Sequence, residues 1–248
     1  MDYSIAEDFV LPSKGKLYQD EINPDIRLRS MTTMEEKKRL SHTENGYKVL
    51  AEIIDDCTVN RDPKISAYDM ILGDYQYLLY KLRTVTYGSE YKVDIRCPFC
   101  GNVHTEKIDL DSLEVIEYND DIESALRIRL PKTGCLVQLN LLTPRMLDRI
   151  NTRAKEMKKK SPDMVGDPKL GLWLEAVIST IDGERKNPAQ LTKFIEELPM
   201  ADVNYINKSL EKIKIGIMAE IDTTCDICGN DCVQALPWSG EFFGPSID

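Results

Sequence analysis

The sequence predicts an α+β fold, because three patterns divide its 248 residues into helical and strand-forming segments. Apolar residues recur at helical spacing over 31–88 and again over 143–215, whereas the segments between and after them alternate polar and apolar residues. A short cysteine turn occurs twice, as CPFCGN at 97–102 and as CDICGN at 225–230, and each copy lies between two predicted strands. The helical segment is therefore predicted to be an insertion between two halves of one β unit.

The first 30 residues are predicted to be largely extended. In FVLPSKGKLY, Pro12 and Gly15 mark a turn. INPDIRLRSMTT then alternates apolar and charged residues, which predicts a half-buried strand. Thr33 and Glu36 match a capping box, in which the hydroxyl and the carboxylate satisfy free backbone amides reciprocally, so a helix is expected to begin there.

Two more helices are predicted before residue 88. GYKVLAEIIDD places its apolar residues on one stripe, and SAYDMILGDYQYLLYKLRTVTYG repeats Tyr75, Leu78 and Leu82 at helical spacing. Gly88 can end the second of these helices, because glycine tolerates the conformation that follows a last helical turn.

The period then changes to that of strands around each cysteine turn. EYKVDIRC and HTEKIDL flank the first turn, IMAEIDTTC and DCVQALPW flank the second, and ALRIRLP with CLVQLNLL predicts a hairpin turned at 132–134. PRMLDRINTRAKEMKKK, LGLWLEAVISTI, PAQLTKFIEEL and ADVNYINKSLEKI are helical in pattern, with Pro144 and Pro188 in first turns. The resulting division is an extended arm and strand (1–30), a helical region (31–88), the first half of the β unit plus a hairpin (89–142), a helical insertion (143–215), and the second half of the β unit with an aromatic tail (216–248).

The doubled cysteine turn predicts a metal site. In a Cys-x-x-Cys-Gly turn the backbone curls so that both thiolates face one point, and the glycine tolerates positive φ after the second sulfur. Two such turns supply four thiolates, the ligand set of a closed tetrahedral zinc site that stabilises a fold and leaves no open position for catalysis. The full expectation is a split four-cysteine zinc-ribbon β unit with a helical insertion and an N-terminal helical region, which binds one structural Zn through Cys97, Cys100, Cys225 and Cys228.

Alternatives to this ligand set remain open at the sequence level. Iron is the other candidate metal, because the rubredoxin site uses similar paired turns. Cys232 or His104 could replace a ligand, although Cys232 is expected to be a structural thiol and His104 an exposed polar residue. Cys57 and Cys135 are expected to be small buried hydrophobic residues.

Composition limits the class of protein. The chain is 42% apolar and 30% charged, which is typical of globular proteins, and no apolar run approaches the roughly 18–20 residues that span a bilayer. The N-terminus has no basic segment followed by an apolar one, so synthesis in the cytoplasm with reduced thiols is expected. A net charge of −10 disfavours nucleic acid as a partner, and the basic run RAKEMKKK is interpreted as a solvated helix face. No phosphate loop, GxGxxG, GxSxG or HExxH motif is present, and the chain has two histidines, so no catalytic residue is predicted.

Both ends of the chain resemble one family. FVLPSKGKLY and IRLRSMTTMEEKKRL, with a Leu-Pro-Ser-x-Gly turn at 11–15 and a Met-Thr-x-x-Glu-Glu helix start at 31–36, resemble the opening of baseplate hub assembly proteins from contractile-tailed phages of the T-even type. CDICGN followed by the LPW…FF segment at 236–243 resembles that family's ending. The resemblance implies a non-enzymatic protein that binds other hub and tail proteins to build the baseplate hub. It would be located in the host cytoplasm during assembly, or in the tail baseplate if it stays in the virion.

Partner contacts are expected at the two terminal segments, because aromatic anchors there often dock on other proteins. The alternative is that both segments pack on their own domain. The candidate contact residues are Leu11, Pro12, Gly15, Tyr18, Trp238, Phe242 and Phe243.

Two function classes compete with an assembly role. One is a zinc-ribbon module that binds nucleic acid, which the acidic charge disfavours. The other is an enzyme with a zinc-stapled lid, as in some nucleotide kinases, which the missing phosphate loop disfavours. Neither a membrane nor a small-molecule substrate is expected.

Overall fold

Helices and small antiparallel sheets alternate along the chain, which confirms the α+β prediction. The computed structural model describes residues 5–41, 46–60, 62–161, 163, 166–236 and 242. The helices are α1 Thr33–Arg39, α2 Gly46–Cys57, α3 Leu72–Tyr87, α4 Asp121–Ala125, α5 Pro144–Lys160, α6 Lys169–Val177, α7 Pro188–Glu196 and α8 Met200–Lys212. The strands are β1 Ala6–Val10, β2 Asp25–Arg29, β3 Glu90–Arg96, β4 Val103–Asp109, β5 Val115–Ile116, β6 Arg127–Arg129, β7 Leu136–Leu139, β8 Ile178–Ile181, β9 Gly216–Ile217, β10 Glu220–Thr224 and β11 Asp231–Ala235.

Every strand pair that the structure describes is antiparallel. β1 pairs with β2, β3 with β4, β5 with β9, and β10 with β11, while β6, β7 and β8 form a three-stranded sheet in that order. The β3–β4 and β10–β11 hairpins are the two units that carry the cysteine turns. The β5–β9 pair joins segments far apart in the sequence and brings the second hairpin back to the first half of the chain.

Two hydrophobic cores account for most of the buried apolar residues. The larger core surrounds α3, which buries Tyr75, Leu78 and Leu82 against the N-terminal arm, α2 and the β3–β4 hairpin. The second core lies between the three-stranded sheet and helices α6 and α8. A smaller apolar cluster joins α5 to α6.

Helix α3 also fixes where both hairpins begin. Gly88 caps its last turn with φ 88°, and β3 starts two residues later. Near its first turn, Gly73 contacts the strand that leads into the second hairpin, because a Cβ added to Gly216 would lie 2.7 Å from the Cα of Gly73. One helix therefore positions both halves of the β unit.

The N-terminal turn is held by a buried carboxylate on α3. Asp74 is fully buried and accepts hydrogen bonds from the backbone N–H of Ser13 (2.9 Å), the Ser13 hydroxyl, and the Tyr18 hydroxyl (2.5 Å). Burial raises the pKa of Asp74, although the hydrogen bonds from Ser13 and Tyr18 act in the opposite direction.

The structure differs from the sequence-based expectations in several elements. The helix predicted from Ser66 begins only at Leu72, because Ala67–Asp69 forms a separate short turn and Met70 and Ile71 are extended. The residue that caps α1 is Thr32 and not Thr33, because Thr32 forms the reciprocal capping box with Glu35. The segment predicted as one helix up to Ile181 leaves the helix at Val177, and Ile178–Ile181 pairs with β7 instead. The short helix α4 was not predicted, since five residues give too little periodicity to recognise.

Candidate metal centre

The two cysteine turns have the same backbone geometry. In the first, the N–H of Gly101 donates to the carbonyl of Cys97 (2.9 Å) and the N–H of Cys97 donates to the carbonyl of Asn102 (2.8 Å). The second turn repeats both bonds, from Gly229 to Cys225 (2.8 Å) and from Cys225 to Asn230 (3.1 Å). Both glycines have positive φ, 74° and 68°, which side chains with a Cβ rarely adopt.

The four sulfur atoms of these turns converge. The Sγ atoms of Cys97 and Cys228 lie 3.7 Å apart, those of Cys100 and Cys225 lie 3.6 Å apart, and all four lie within 4.8 Å of one another. A tetrahedral site with Zn–S bonds of about 2.3 Å requires sulfur atoms about 3.8 Å apart. The two short distances each join one hairpin to the other, so this cluster fits a tetrahedral ion that would bridge them.

Backbone amides point at the sulfur atoms, as a negatively charged thiolate site requires. The amides of Cys228 and Ile227 donate to the Cys225 sulfur and lower its pKa. The backbone amide of Asn230 is the main cause that lowers the pKa of Cys228 to about 6, and the Asn230 side chain adds a hydrogen bond of 3.3 Å to the same sulfur. The second turn is therefore prepared to hold thiolates near neutral pH.

The Cys100 thiol behaves differently. The backbone amide of Asn102 lowers its pKa, but desolvation and hydrogen bonds to the other three thiols outweigh that effect and raise it to about 12. Four thiols confined together do not all ionise unless a cation compensates the charge. This donor set therefore fits a divalent metal that binds sulfur, and it would release protons on binding.

A polar contact also joins the two hairpins beside the sulfur cluster. The hydroxyl of Thr223 on β10 donates to Glu106 on β4 (2.7 Å), and its oxygen is 3.1 Å from Nε2 of His104. Since the hydroxyl donates to Glu106, its oxygen accepts from a protonated Nε2. The His104 side chain is only 7% exposed, so the expectation of an exposed residue is wrong. Its burial comes from the packing of β4 against β10, which the sequence pattern does not reveal.

The remaining thiols lie outside the cluster. Cys57 is fully buried on α2, and burial raises its pKa to about 12, which agrees with the expectation of a small hydrophobic residue. Cys135 directly precedes β7 and is only half-buried, so the expectation of a buried residue is met only in part. Cys232 is also half-buried and accepts a hydrogen bond from the side-chain amide of Gln234 (3.3 Å).

The candidate contact residues of the N-terminal segment pack on their own domain. Leu11 is 1% exposed, Pro12 and Gly15 are buried, and Tyr18 is half-buried with its hydroxyl on Asp74. A buried side chain contributes to docking only through the surface that it shapes. Partner binding by these residues stays a prediction.

The C-terminal candidate Phe242 fills an aromatic socket. Its ring lies 4.8 Å from the ring of Tyr80 and 5.3 Å from that of Tyr91, in edge-to-face geometry. The guanidinium of fully buried Arg83 donates to the Phe242 carbonyl (2.9 Å) and stacks over Tyr91 at 4.8 Å. Trp238 and Phe243 lie outside the described residues.

The sequence analysis missed the exposed apolar residues at the tips of the two cysteine turns. Phe99 is 64% exposed and Ile227 is 72% exposed, and each precedes the second cysteine of its turn. The signal was available, because a turn that points both sulfur atoms inward directs its intervening side chains outward.

No helix that the structure describes is both long and apolar enough to cross a bilayer. A family model described as T4 bacteriophage base plate protein matches residues 4–244. No curated protein and no solved structure matches the chain significantly.

Proposed function

Because the chain belongs to the T4 bacteriophage base plate protein family, we propose that it is a non-enzymatic assembly protein that binds other tail proteins to build the baseplate hub. The match over residues 4–244 carries this proposal, since it covers almost the whole chain. Work in the host cytoplasm during assembly, or a place in the tail baseplate, follows from that role. The resemblance of both chain ends to hub assembly proteins supports the hub as the site of action.

The test is affinity capture of tagged protein from infected cells, with purified mature virions analysed in parallel by mass spectrometry. Capture of hub subunits in stoichiometric amounts supports the proposal, and the virion sample separates a resident subunit from an assembly factor. Capture of other baseplate proteins without hub subunits would overturn the hub assignment. Complete hubs in cells infected by phage that lack the protein would overturn the assembly role.

We further propose that Cys97, Cys100, Cys225 and Cys228 bind one structural Zn per chain. The sulfur spacing and the amide donors support a divalent ion at this site. Zinc is favoured over iron because paired-turn iron sites usually belong to small electron-transfer domains. This chain is instead helix-rich, and the proposed role is assembly. On this proposal 89–142 and 216–248 act as one metal-bearing unit, and 143–215 is its insertion.

We also propose that the terminal segments carry part of the partner binding. Leu11, Pro12, Gly15 and Tyr18 would act by holding the turn at 11–18 in shape, and exposed Lys14 and Lys16 on that turn would meet the partner. Phe242 would act by anchoring the C-terminal segment, which leaves Trp238 and Phe243 as the direct contacts to test. Variants must therefore be assayed for folding and assembly separately.

A further inference from the structure

A groove runs between helix α5 and the three-stranded β6–β7–β8 sheet. It consists of two adjoining cavities of about 1420 Å³ and about 560 Å³, which share Asn140, Met146, Arg149, Ser179 and Arg185 as walls. Arg127 on β6 lines the larger cavity. The two volumes together are far larger than a small anion needs and suit an extended peptide segment.

The charge of this groove is opposite to that of the chain. Seven cationic side chains and four carboxylates line the two cavities, although the whole chain carries a net charge of −10. Two of the cations are already paired inside the groove, Arg145 with Asp69 (2.8 Å) and Arg153 with Glu175 (2.7 Å). Lys186 is paired with Glu184 (2.6 Å), so the excess of positive charge comes from Lys64 and the remaining arginines.

Three arginines in the groove have no acidic partner among the described residues. Across the described part of the chain, no carboxylate oxygen lies within 4.0 Å of a guanidinium nitrogen of Arg127, Arg149 or Arg185. Each is exposed to the groove and offers the planar fork that binds a carboxylate through two parallel hydrogen bonds. We call this set the arginine groove.

The walls between these arginines are partly apolar. Met146 on α5 and Leu141 line the larger cavity, and Leu172 and Leu191 line the smaller one. A ligand that satisfies both features carries carboxylates and apolar side chains in one extended segment. A bare phosphate or a nucleic-acid backbone would leave the apolar walls uncovered, and the net charge of −10 on the whole chain disfavours a polyanion.

We propose that the arginine groove, defined by Arg127, Arg149 and Arg185, binds an acidic segment of a partner protein. The choice of a protein ligand rests partly on the proposed assembly function. The arginines pair with carboxylates on the segment, and the apolar walls accept the side chains between them. The combination of cationic side chains with apolar walls distinguishes this groove from the purely basic run at the end of α5.

The probe is a fluorescein-labelled peptide of about ten residues that alternates Glu and Leu, titrated with the full chain and followed by fluorescence anisotropy. We expect binding that weakens as salt rises from about 50 mM to about 200 mM. The double variant Arg149→Glu/Arg185→Glu should weaken binding at least about tenfold. The matched control Lys155→Glu/Lys159→Glu changes the net charge equally, lies on α5 as Arg149 does but outside both cavities, and should alter affinity less than about twofold.

Three outcomes overturn the inference. Equal loss in the control variant would assign the binding to overall charge. Equal binding of a Gln–Leu peptide would assign it to the apolar walls alone. Tighter binding of a single-stranded oligonucleotide with the same variant dependence would assign the groove to nucleic acid. Circular dichroism and melting curves establish that both variants fold.

The assay needs no other phage protein, so its result can be distinguished from that of the assembly proposal. If the peptide result is negative but affinity capture still recovers hub subunits, the groove assignment fails and the function stands. If the peptide binds as expected but no tail protein is captured, the groove stands and the assembly function fails.

Discussion

Asp74 is the residue on which the N-terminal turn depends, because its carboxylate is fully buried and holds Ser13 and Tyr18 at once. Burial raises its pKa above the ordinary value of about 3.9. The folded state thus binds this proton more tightly than the unfolded state does. Its contribution to stability is fully present below about pH 4 and is lost as pH rises through the raised pKa.

Replacement of Asp74 by Asn keeps the shape of the side chain and replaces the ionisable carboxyl group by a neutral amide. We expect the free energy of unfolding of Asp74→Asn, relative to wild type, to rise between about pH 4 and the raised pKa and then to level off. Urea denaturation at several pH values measures this difference, and acid-induced metal loss cancels because both proteins share it. A difference that stays flat or falls over this range would show that the carboxylate is stabilised as an anion.

The cysteines separate a metal-binding role from a packing role. Cys97→Ser should abolish stoichiometric Zn and lower the free energy of unfolding by more than about 3 kcal/mol, because structural zinc contributes roughly 10–16 kcal/mol of binding free energy in zinc-finger peptides. Cys57→Ser should keep Zn and cost about 1–3 kcal/mol for burying a hydroxyl, and Cys135→Ser should cost less. Elemental analysis and thermal melts of the purified variants provide the test. Equal shifts in all variants, or iron in the wild type, would contradict the assignment.

At the scale of elements, the crossing of α3 and β9 requires two glycines. Gly216 has φ 104°, and its added Cβ would meet the backbone of Gly73 at 2.7 Å, where no flexible side chain can move aside. Gly134 also has positive φ, 72°, but a Cβ there would meet nothing within 4 Å. A substitution at Gly134 therefore measures backbone strain alone, whereas one at Gly216 adds the clash with Gly73.

We therefore expect Gly216→Ala to destabilise the protein far more than Gly134→Ala. The control should cost about 1–2 kcal/mol, the usual penalty for a side chain in a left-handed conformation. Gly216→Ala should exceed it by at least about 2 kcal/mol and should also weaken Zn retention, since β9 leads directly into β10. Chemical denaturation and a chromogenic zinc-release assay measure the two effects. Similar costs for both variants would mean that α3 and β9 can separate freely.

The sequence predicted most elements because their patterns are local. The alternation in EYKVDIRC and HTEKIDL depends only on which face is buried, and the structure pairs Glu90 with Asp109 through Arg96 with Val103 in one uninterrupted hairpin. Ile178 to Ile181 escaped prediction because four apolar and hydroxyl residues after a helix fit either period, and pairing with β7 decided the outcome. The shift of the α1 cap from Thr33 to Thr32 has a similar cause, since adjacent threonines precede adjacent glutamates.

The candidate metal site was predictable for a different reason. The Cys-x-x-Cys-Gly motif by itself predicts a turn with both sulfur atoms on one side. Because the motif occurs twice, a cluster of four sulfur atoms could be expected without knowing the fold. The contact between His104 and Thr223 could not, because it depends on how the two hairpins face each other. The arginine groove was equally hidden, since Arg127, Arg149 and Arg185 come from three separate elements or loops.

For the molecule as a whole, the C-terminal segment contains residues expected to stabilise the fold and residues proposed to bind partners. Phe242→Ala should destabilise the protein by about 3–5 kcal/mol, because its ring is 1% exposed between Tyr80 and Tyr91. Trp238→Ala and Phe243→Ala should instead reduce hub assembly while melting and Zn content stay unchanged. The readouts are thermal melting, elemental analysis and complementation of phage that lack the protein. Normal assembly by the Trp238 and Phe243 variants would place the binding surface elsewhere.

The separation of the two cysteine turns has a consequence for how the protein is made. Cys225 follows Cys100 by 125 positions, and ribosomes add roughly 5–20 residues per second, so the first turn waits about 6–25 seconds for the second. During that interval only two of the four clustered thiols, those of the first turn, have been synthesised. A nascent or prematurely terminated chain that stops before Cys228 cannot complete the site, whatever its N-terminal core has achieved. On the proposed zinc assignment, only chains synthesised through both turns can bind the ion with all four sulfur atoms and gain its stabilisation.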